Sequence, residues 1–259
     1  MKSNELIHGS LFSGVGGFEL GAQLSGIETI WNCEYEEHNR EILKKNFPNT
    51  KQYFDVRTMN NVEYVDIISG GFPCQDLSLS NTTPKNKQLR NEKKKGIKGE
   101  RSGLWSEMFR VVRDIRPKYV IIENSPMLLI RGFEQVLCNL SSIGYVCEWQ
   151  CLQAAQFGYN HKRNRFFGIA YPIEKRCKNN NEIFLELQKV LLKKPSRQND
   201  IPMHLKRFDA NSNFELLRVD DGFSKGLDIQ RIEMMGNAVI PEIAHYIFEC
   251  IKFHHENIY

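Results

Sequence analysis

Short β-branched runs that break off into glycine or polar residues constrain this chain more than any other feature. Ile7 to Phe12 runs directly into Ser13-Gly14-Val15-Gly16-Gly17, and Phe18, Leu20 and Leu24 then follow at helical spacing. Strand, glycine turn and helix in that order open a doubly wound α/β domain. Thr29 to Cys33 forms a second run, ending in Glu34-Tyr35-Glu36, with helical periodicity from His38 to Asn46. Val65 to Ser69 and Tyr119 to Ile122 are similar runs, apolar throughout or nearly so, as expected of parallel strands buried on both faces. Trp105 to Arg113 reads as a helix ended by Pro117, Arg165 to Ala170 as a later strand stopped by Pro172, and Ile243 to Phe253 as a terminal helix.

Composition narrows the class. With 259 residues, 41% hydrophobic and 25% charged, the chain can bury a large core and is neither disordered nor fibrous. The apolar runs fall far short of the roughly 20 residues that cross a bilayer. Met1-Lys2-Ser3-Asn4-Glu5 lacks the pattern of a secretory signal, so a cytoplasmic location is expected. Seven cysteines without a Cys-x-x-Cys pair fit a reducing compartment and no zinc site. The one metal-like spacing, Cys250 with His254 beside His255, reads more simply as a solvated helix end.

The net charge of +4 is modest, but it is unevenly placed. Residues 79–103 carry Lys85, Lys87, Arg90, Lys93, Lys94, Lys95, Lys98 and Arg101 against Glu92 and Glu100, which suits a polyanionic partner. Residues 172–217 are also polar and basic, with one helical stretch from Ile183 to Leu192, and read as an insertion or small second domain.

Several residues could carry chemistry. Gly14-x-Gly16-Gly17 lets backbone approach a ligand, although Glu19 replaces the third glycine of the dinucleotide fingerprint and a plain turn would use the same residues. Glu34 ends a strand where such folds place an acid on ribose hydroxyls, and Asp55 follows the next strand; either acid could instead be a helix cap or a solvated charge. Cys74, in Gly70-Gly71-Phe72-Pro73-Cys74-Gln75, sits at the end of a buried strand and leads into the basic loop, the setting of a nucleophile more than of a core thiol. Glu123-Asn124-Ser125 follows another buried strand and points toward the same crevice, unless Glu123 caps the helix after Pro126. Alternation places His161, Arg163 and Arg165 on one side of a strand entry.

In this order the segments resemble the cytosine-5 methyltransferases of DNA. Leu11-Phe12-Ser13-Gly14-Val15-Gly16-Gly17 is similar to the first motif of that family, Gly71-Phe72-Pro73-Cys74-Gln75 to its catalytic motif, and Glu123-Asn124-Ser125 to its Glu-Asn-Val motif. His161-x-Arg163-x-Arg165 is similar to its Gln-x-Arg-x-Arg motif and Gly236-Asn237-Ala238-Val239-Ile240-Pro241 to its last. The resemblance implies a Rossmann-like S-adenosylmethionine-dependent methyltransferase fold, with residues 1–171 and 225–259 catalytic and 172–224 a small inserted target-recognition region. It implies a catalytic set of Cys74, Glu123, Arg163 and Arg165. Phe12, Gly14, Gly16, Gly17, Glu34, Tyr35, Asp55, Val56, Pro73, Leu104, Asn237 and Val239 would hold S-adenosylmethionine, with no metal. Gln75, Ser78, Lys87, Arg90, Lys94, Arg101 and Arg218 would meet double-stranded DNA. A monomer suffices for one flipped base, and a cognate restriction endonuclease is a companion that it need not touch.

The chain departs from the family pattern at Ser10, where the family has Asp, and at His161 and Ser125, where it has Gln and Val. The target-recognition segment is also short. The tRNA-methylating branch carries a Cys-Phe-Thr tripeptide that is absent here, and amino-group methyltransferases use an Asp-Pro-Pro-Tyr-like motif that is also absent. A silent DNA-binding regulator would have no chemical need for all four of the catalytic residues.

Overall fold

The computed structural model describes residues 5–73, 103–159, 162–175, 183–193 and 238–258. Seven strands form one sheet: β1 (Ile7–Leu11), β2 (Glu28–Cys33), β3 (Lys51–Tyr53), β4 (Ile67–Gly70), β5 (Tyr119–Asn124), β6 (Tyr145–Gln153) and β7 (Asn164–Pro172). Their order is β3-β2-β1-β4-β5-β7-β6. The pairs β1–β2, β2–β3, β1–β4 and β4–β5 are parallel, whereas β7 lies antiparallel between β5 and β6. The order reverses beside β1, so the carboxyl ends of β1 and β4 diverge there and leave a crevice for a ligand.

Helices cover both faces: α1 (Gly17–Leu24), α6 (Ile183–Lys193) and α7 (Pro241–Ile258) on one, α3 (Leu104–Ile115) and α5 (Phe133–Ser142) on the other, with α2 (Glu37–Asn46) after β2 and the one-turn α4 (Leu128–Arg131) after β5. Strand alternation divides β5 between the two layers. Ile121 joins Phe18, Ile247 and Phe248, while Val120 and Ile122 join Trp105, Met108 and Val136. Each such buried side chain contributes about 1.5–3 kcal/mol relative to exposure.

The structure moves several expected boundaries. β5 runs on through Glu123 and Asn124, so the acid is a strand residue rather than one that follows the strand, and β7 begins one residue before Arg165, at Asn164. Pro172 is the last residue of β7, opposite Tyr145. The edge strand β6 and helix α5 escape the sequence pattern: β6 is buried only in part, from Tyr145 at 4% exposure to Trp149 at 48%, and so lacks a clean apolar alternation. Of the span 172–224, helix α6 packs into the core through Ile183, Phe184 and Leu187 against α7, and therefore belongs structurally with the sheet. Residues 194–237 lie outside the described residues.

The histidines near the carboxyl-terminal helix end are buried rather than solvated. His254 and His255 are both 2% exposed, with His254 Nδ1 hydrogen-bonded to the Tyr119 hydroxyl at 3.0 Å and its ring 5.0 Å from that of Tyr171. Burial holds the His254 ring down to about pKa 4, and the neighbouring His255 adds to the effect. Among the described residues no group of three metal-ligating side chains comes together, and no helix is long and apolar enough to cross a membrane.

Candidate active site at the carboxyl edge of the sheet

The turn between β1 and α1 concentrates backbone strain. Phe12 has φ +54°, Gly14 +56° and Gly16 +96°, three left-handed conformations within five residues. For Phe12 this is an uncommon state, held only where surrounding bonds over-determine it. Those bonds are present: Ser13 N–H donates to Cys33 O (3.1 Å), Gly16 N–H to Ser13 O (3.0 Å) and the Ser13 hydroxyl to Ser10 Oγ (2.9 Å). Serine at position 10 thus supports the turn where the family has an aspartate. A Cβ on Gly14 would meet nothing within 4 Å, so the turn faces open space, whereas one on Gly16 would strike the Phe47 ring at 2.6 Å.

Gly17 is also required for close packing. A Cβ there would lie 2.3 Å from the Val239 carbonyl oxygen, so the first turn of α1 and the segment leading into α7 meet backbone to backbone. Gly21 repeats this one turn later against Ala244 (2.5 Å), and Lys252 Nζ closes the pair on Ser25 O (2.9 Å).

Glu34, 7% exposed, follows β2 and reaches back to the turn. Its Oε2 accepts the Gly14 N–H at 2.7 Å and its Oε1 the Glu36 N–H at 2.8 Å. Burial raises its pKa and these amide bonds oppose the rise. Tyr35 stacks on Phe54 with centroids 5.0 Å apart, and both rings stay half exposed. Asp55 caps the 3-10 turn Val56–Thr58 by accepting the Arg57 N–H at 2.9 Å. It also pairs with the Arg57 guanidinium at 2.7 Å, which holds its carboxyl below the usual range. The cap expected as the simpler role of Asp55 is therefore present, on the rim of the crevice.

The other half of the crevice is built from charged side chains. Glu123 Oε1 lies 3.2 Å from Arg165 Nε across the antiparallel β5–β7 pair. A Cβ on Gly71 would be 2.8 Å from Glu123 Oε2, and Asn124 Nδ2 donates to Phe72 O at 3.2 Å. The strand ends carrying Gly71-Phe72-Pro73 and Glu123-Asn124 therefore meet, which the sequence alone did not establish. Glu123 does not cap α4, which has no side-chain cap; in the turn before it Ser125 Oγ accepts the Met127 N–H at 3.3 Å. Burial raises the Glu123 pKa, and Arg165 and Arg163 pull it back. Arg163 is itself lowered to about 10 by burial and by the like charge of Arg165. Arg163, Arg165 and Glu123 line one cleft together with Ala238, Val239 and Ile240.

Pro73 lies three residues beyond β4 and Leu104 opens α3. Cys74, Gln75, Ser78, Lys87, Arg90, Lys94, Arg101, His161, Arg218 and Asn237 lie outside the described residues. Sequence reasoning passes over Phe54, Arg57 and Arg110; the Asp-x-Arg spacing of 55 and 57 is the available signal for the second.

A doubly wound sheet with its seventh strand inserted antiparallel, and an acid–arginine pair at the carboxyl edge, defines the Rossmann-like methyltransferase class. Residues 8–221 match the family model of the C-5 cytosine-specific DNA methylases, and the chain belongs to that family. It is 34% identical over 173 residues to the type II methyltransferase M2.BsuMI of Bacillus subtilis, covering 64% of this chain and 42% of that one. It is 26% identical over 243 residues to M.CviJI of a Paramecium bursaria Chlorella virus, covering 92% and 57%. A solved DNA modification methyltransferase encoded within an E. coli prophage superposes with a TM-score of 0.55 at 26% identity, covering 70% of this chain and 50% of that one. The chain spans about half the length of the curated relatives it matches.

Proposed function

We propose that the protein methylates C5 of cytosine in double-stranded DNA, with S-adenosylmethionine as methyl donor. The carrying observation is the buried Glu123 carboxyl, ion-paired to Arg165 and in contact with the Gly71 turn that leads to Cys74. Type II relatives make a role in restriction-modification or phage DNA protection the natural setting.

The donor half fits the methyl donor on its own terms. Open space over Gly14, a buried acid at Glu34 and an aromatic edge at Tyr35 offer room for the methionine, an acceptor for ribose hydroxyls and a wall for adenine. Phe12, Asp55, Val56, Pro73, Leu104, Asn237 and Val239 complete that set in this reading. The donor supplies an electrophilic methyl group when bound.

C5 of cytosine is a weak nucleophile until C6 is attacked. In the proposed sequence the Cys74 thiolate adds to C6 while Glu123 gives a proton to N3, so that negative charge does not build on the ring. Burial favours the protonated carboxyl that this step requires, and Arg165 pairs with the carboxylate left behind. C5 then takes the methyl group, N3 gives its proton back to Glu123, a base removes the C5 proton, and that electron pair forms the C5–C6 double bond and expels Cys74 as thiolate. Arg163 and Arg165 steady the base, which must be flipped out of the duplex at a cost of a few kcal/mol. The basic run 79–103, with Lys87, Arg90, Lys94 and Arg101, is assigned to DNA phosphates. The span 194–224, including Arg218, is assigned to target recognition.

Expression in a host free of cytosine methylation, followed by base-resolution mapping of 5-methylcytosine, tests the reading. A recurring short motif is expected, and a C74S variant should abolish it while keeping donor binding. An empty map from soluble, donor-binding protein sinks the DNA-methylating assignment. A 5-fluorocytosine duplex then separates the rivals, since a silent regulator forms no covalent adduct.

A further inference from the structure

The short 3-10 turn Val56–Thr58, which carries the adenine-side wall in the reading above, is held partly by its own bonds and partly from outside. Two backbone bonds close it, Thr58 N–H to Asp55 O (3.0 Å) and Met59 N–H to Val56 O (3.2 Å). A helix end this short leaves carbonyls that need outside donors.

Arg110, on the neighbouring helix α3, supplies them. Its Nη2 donates to Val56 O at 2.7 Å and its Nη1 to Met59 O at 2.9 Å. The guanidinium is aimed by its own helix, since Nε bonds Glu107 Oε2 at 3.0 Å and Asp114 lies 3.9 Å from Nη1. The planar fork thus spans two carbonyls of one turn, a geometry that a lysine ammonium cannot copy. Val56 and Met59 are buried at 4% and 2% exposure, so the turn is clamped from below while Asp55 and Arg57 face the rim.

We propose that Arg110 is a positioning residue for the methyl donor, setting the height and tilt of the Asp55–Val56 backbone that meets the adenine ring. It touches neither donor nor base; it acts through the carbonyls of Val56 and Met59. The inference rests on the assignment of this wall to the methyl donor, and the experiment separates the two. Because α3 resumes the described chain at the far side of residues 74–102, the same arginine also links the donor wall to the element that follows the catalytic loop.

The test is calorimetric binding of S-adenosylhomocysteine and of its 6-oxo (inosine) analogue to the wild-type protein, R110K and R110A, with thermal unfolding measured alongside. Wild type should prefer the adenine compound. R110A should bind S-adenosylhomocysteine about tenfold more weakly and lose most of the discrimination between the two bases, and R110K should fall between. The KM for DNA should stay within about twofold in both variants. If folded R110A keeps wild-type affinity and discrimination, the positioning role is wrong. Should R110A fail to fold, R110K decides, and wild-type behaviour in R110K overturns the proposal. Wild type that binds neither compound would instead overturn the donor-site reading itself.

Discussion

The two halves of the crevice are built by different means. On the β1–β2–β3 side, backbone does the shaping: left-handed residues at 12, 14 and 16, amide groups turned onto Glu34, and a capped turn at Asp55. On the β4–β5–β7 side, charged side chains do it: Glu123 against Arg165 with Arg163 beside them. A site of strained backbone is suited to grip a ligand of fixed shape, and a site of buried, opposed charges is suited to move protons. Substitutions on the two sides should therefore separate binding from turnover.

The sharpest way to break that contrast is E123Q. Glutamine keeps the volume and loses the titratable proton, so turnover should fall about 10²–10³-fold while S-adenosylhomocysteine affinity stays within about twofold. A parallel loss of donor affinity, measured by calorimetry, would mean that the halves are one unit. Next in size is G17A on the backbone-built side. Its Cβ would press on the Val239 carbonyl at 2.3 Å, and since backbone rather than a flexible side chain must yield, stability should drop by about 2–4 kcal/mol in urea titrations. A wild-type unfolding midpoint would show that α1 and α7 can part without penalty.

The smallest effect is a pH profile. Burial holds His8 and His254 at about 3 and 4, so their neutral rings stabilise the fold above the unfolded value near 6.5, and that contribution is lost as the pH falls from there through 4. Glu19, 1% exposed on α1, is displaced the opposite way, to about 7, chiefly by burial. Neither of its carboxylate oxygens has a hydrogen-bonded partner among the described residues, although the Ser13 and Ser10 hydroxyls temper the rise. Its proton stabilises the fold fully below about 4.5, and this is lost as the pH rises through 7. The urea midpoint should thus fall as the pH drops below about 6.5, while Glu19 withdraws its share between about 4.5 and 7. The E19Q variant should remove that share, worth about 1–3 kcal/mol. A profile that E19Q leaves unchanged would show that Glu19 is ionised and solvated.

The same contrast explains which parts of the molecule are legible in the amino-acid sequence. The backbone half is local, so Ser13 to Gly17, Glu34 and Asp55 declare themselves through glycine spacing and strand ends. The charged half depends on which strands become neighbours. That Arg165 faces Glu123 requires β7 to enter antiparallel beside β5, which no periodicity in Arg165 to Ala170 encodes. Gly71 resting on Glu123 likewise joins residues brought together only by the sheet. Edge strand β6 is illegible for a related reason: an edge needs one good face, and its alternation is blurred by half-buried cysteines and Trp149. Arg110 reads as ordinary surface charge, because a guanidinium that serves carbonyls carries no mark in the sequence of the carbonyls it serves, whereas Arg57 is marked only by its spacing from Asp55.

The contact between Gly17 and Val239 bears on how the protein is made. Synthesis delivers the glycine turn early and the segment that presses on it only after all seven described strands have been made. A chain still on the ribosome, with β1 through β7 already paired, has α1 lying on the sheet with one flank uncovered. If the turn holds the methyl donor as proposed, it takes its final form only when α7 arrives, so donor binding should switch on late and abruptly during translation, after the described strands are in place.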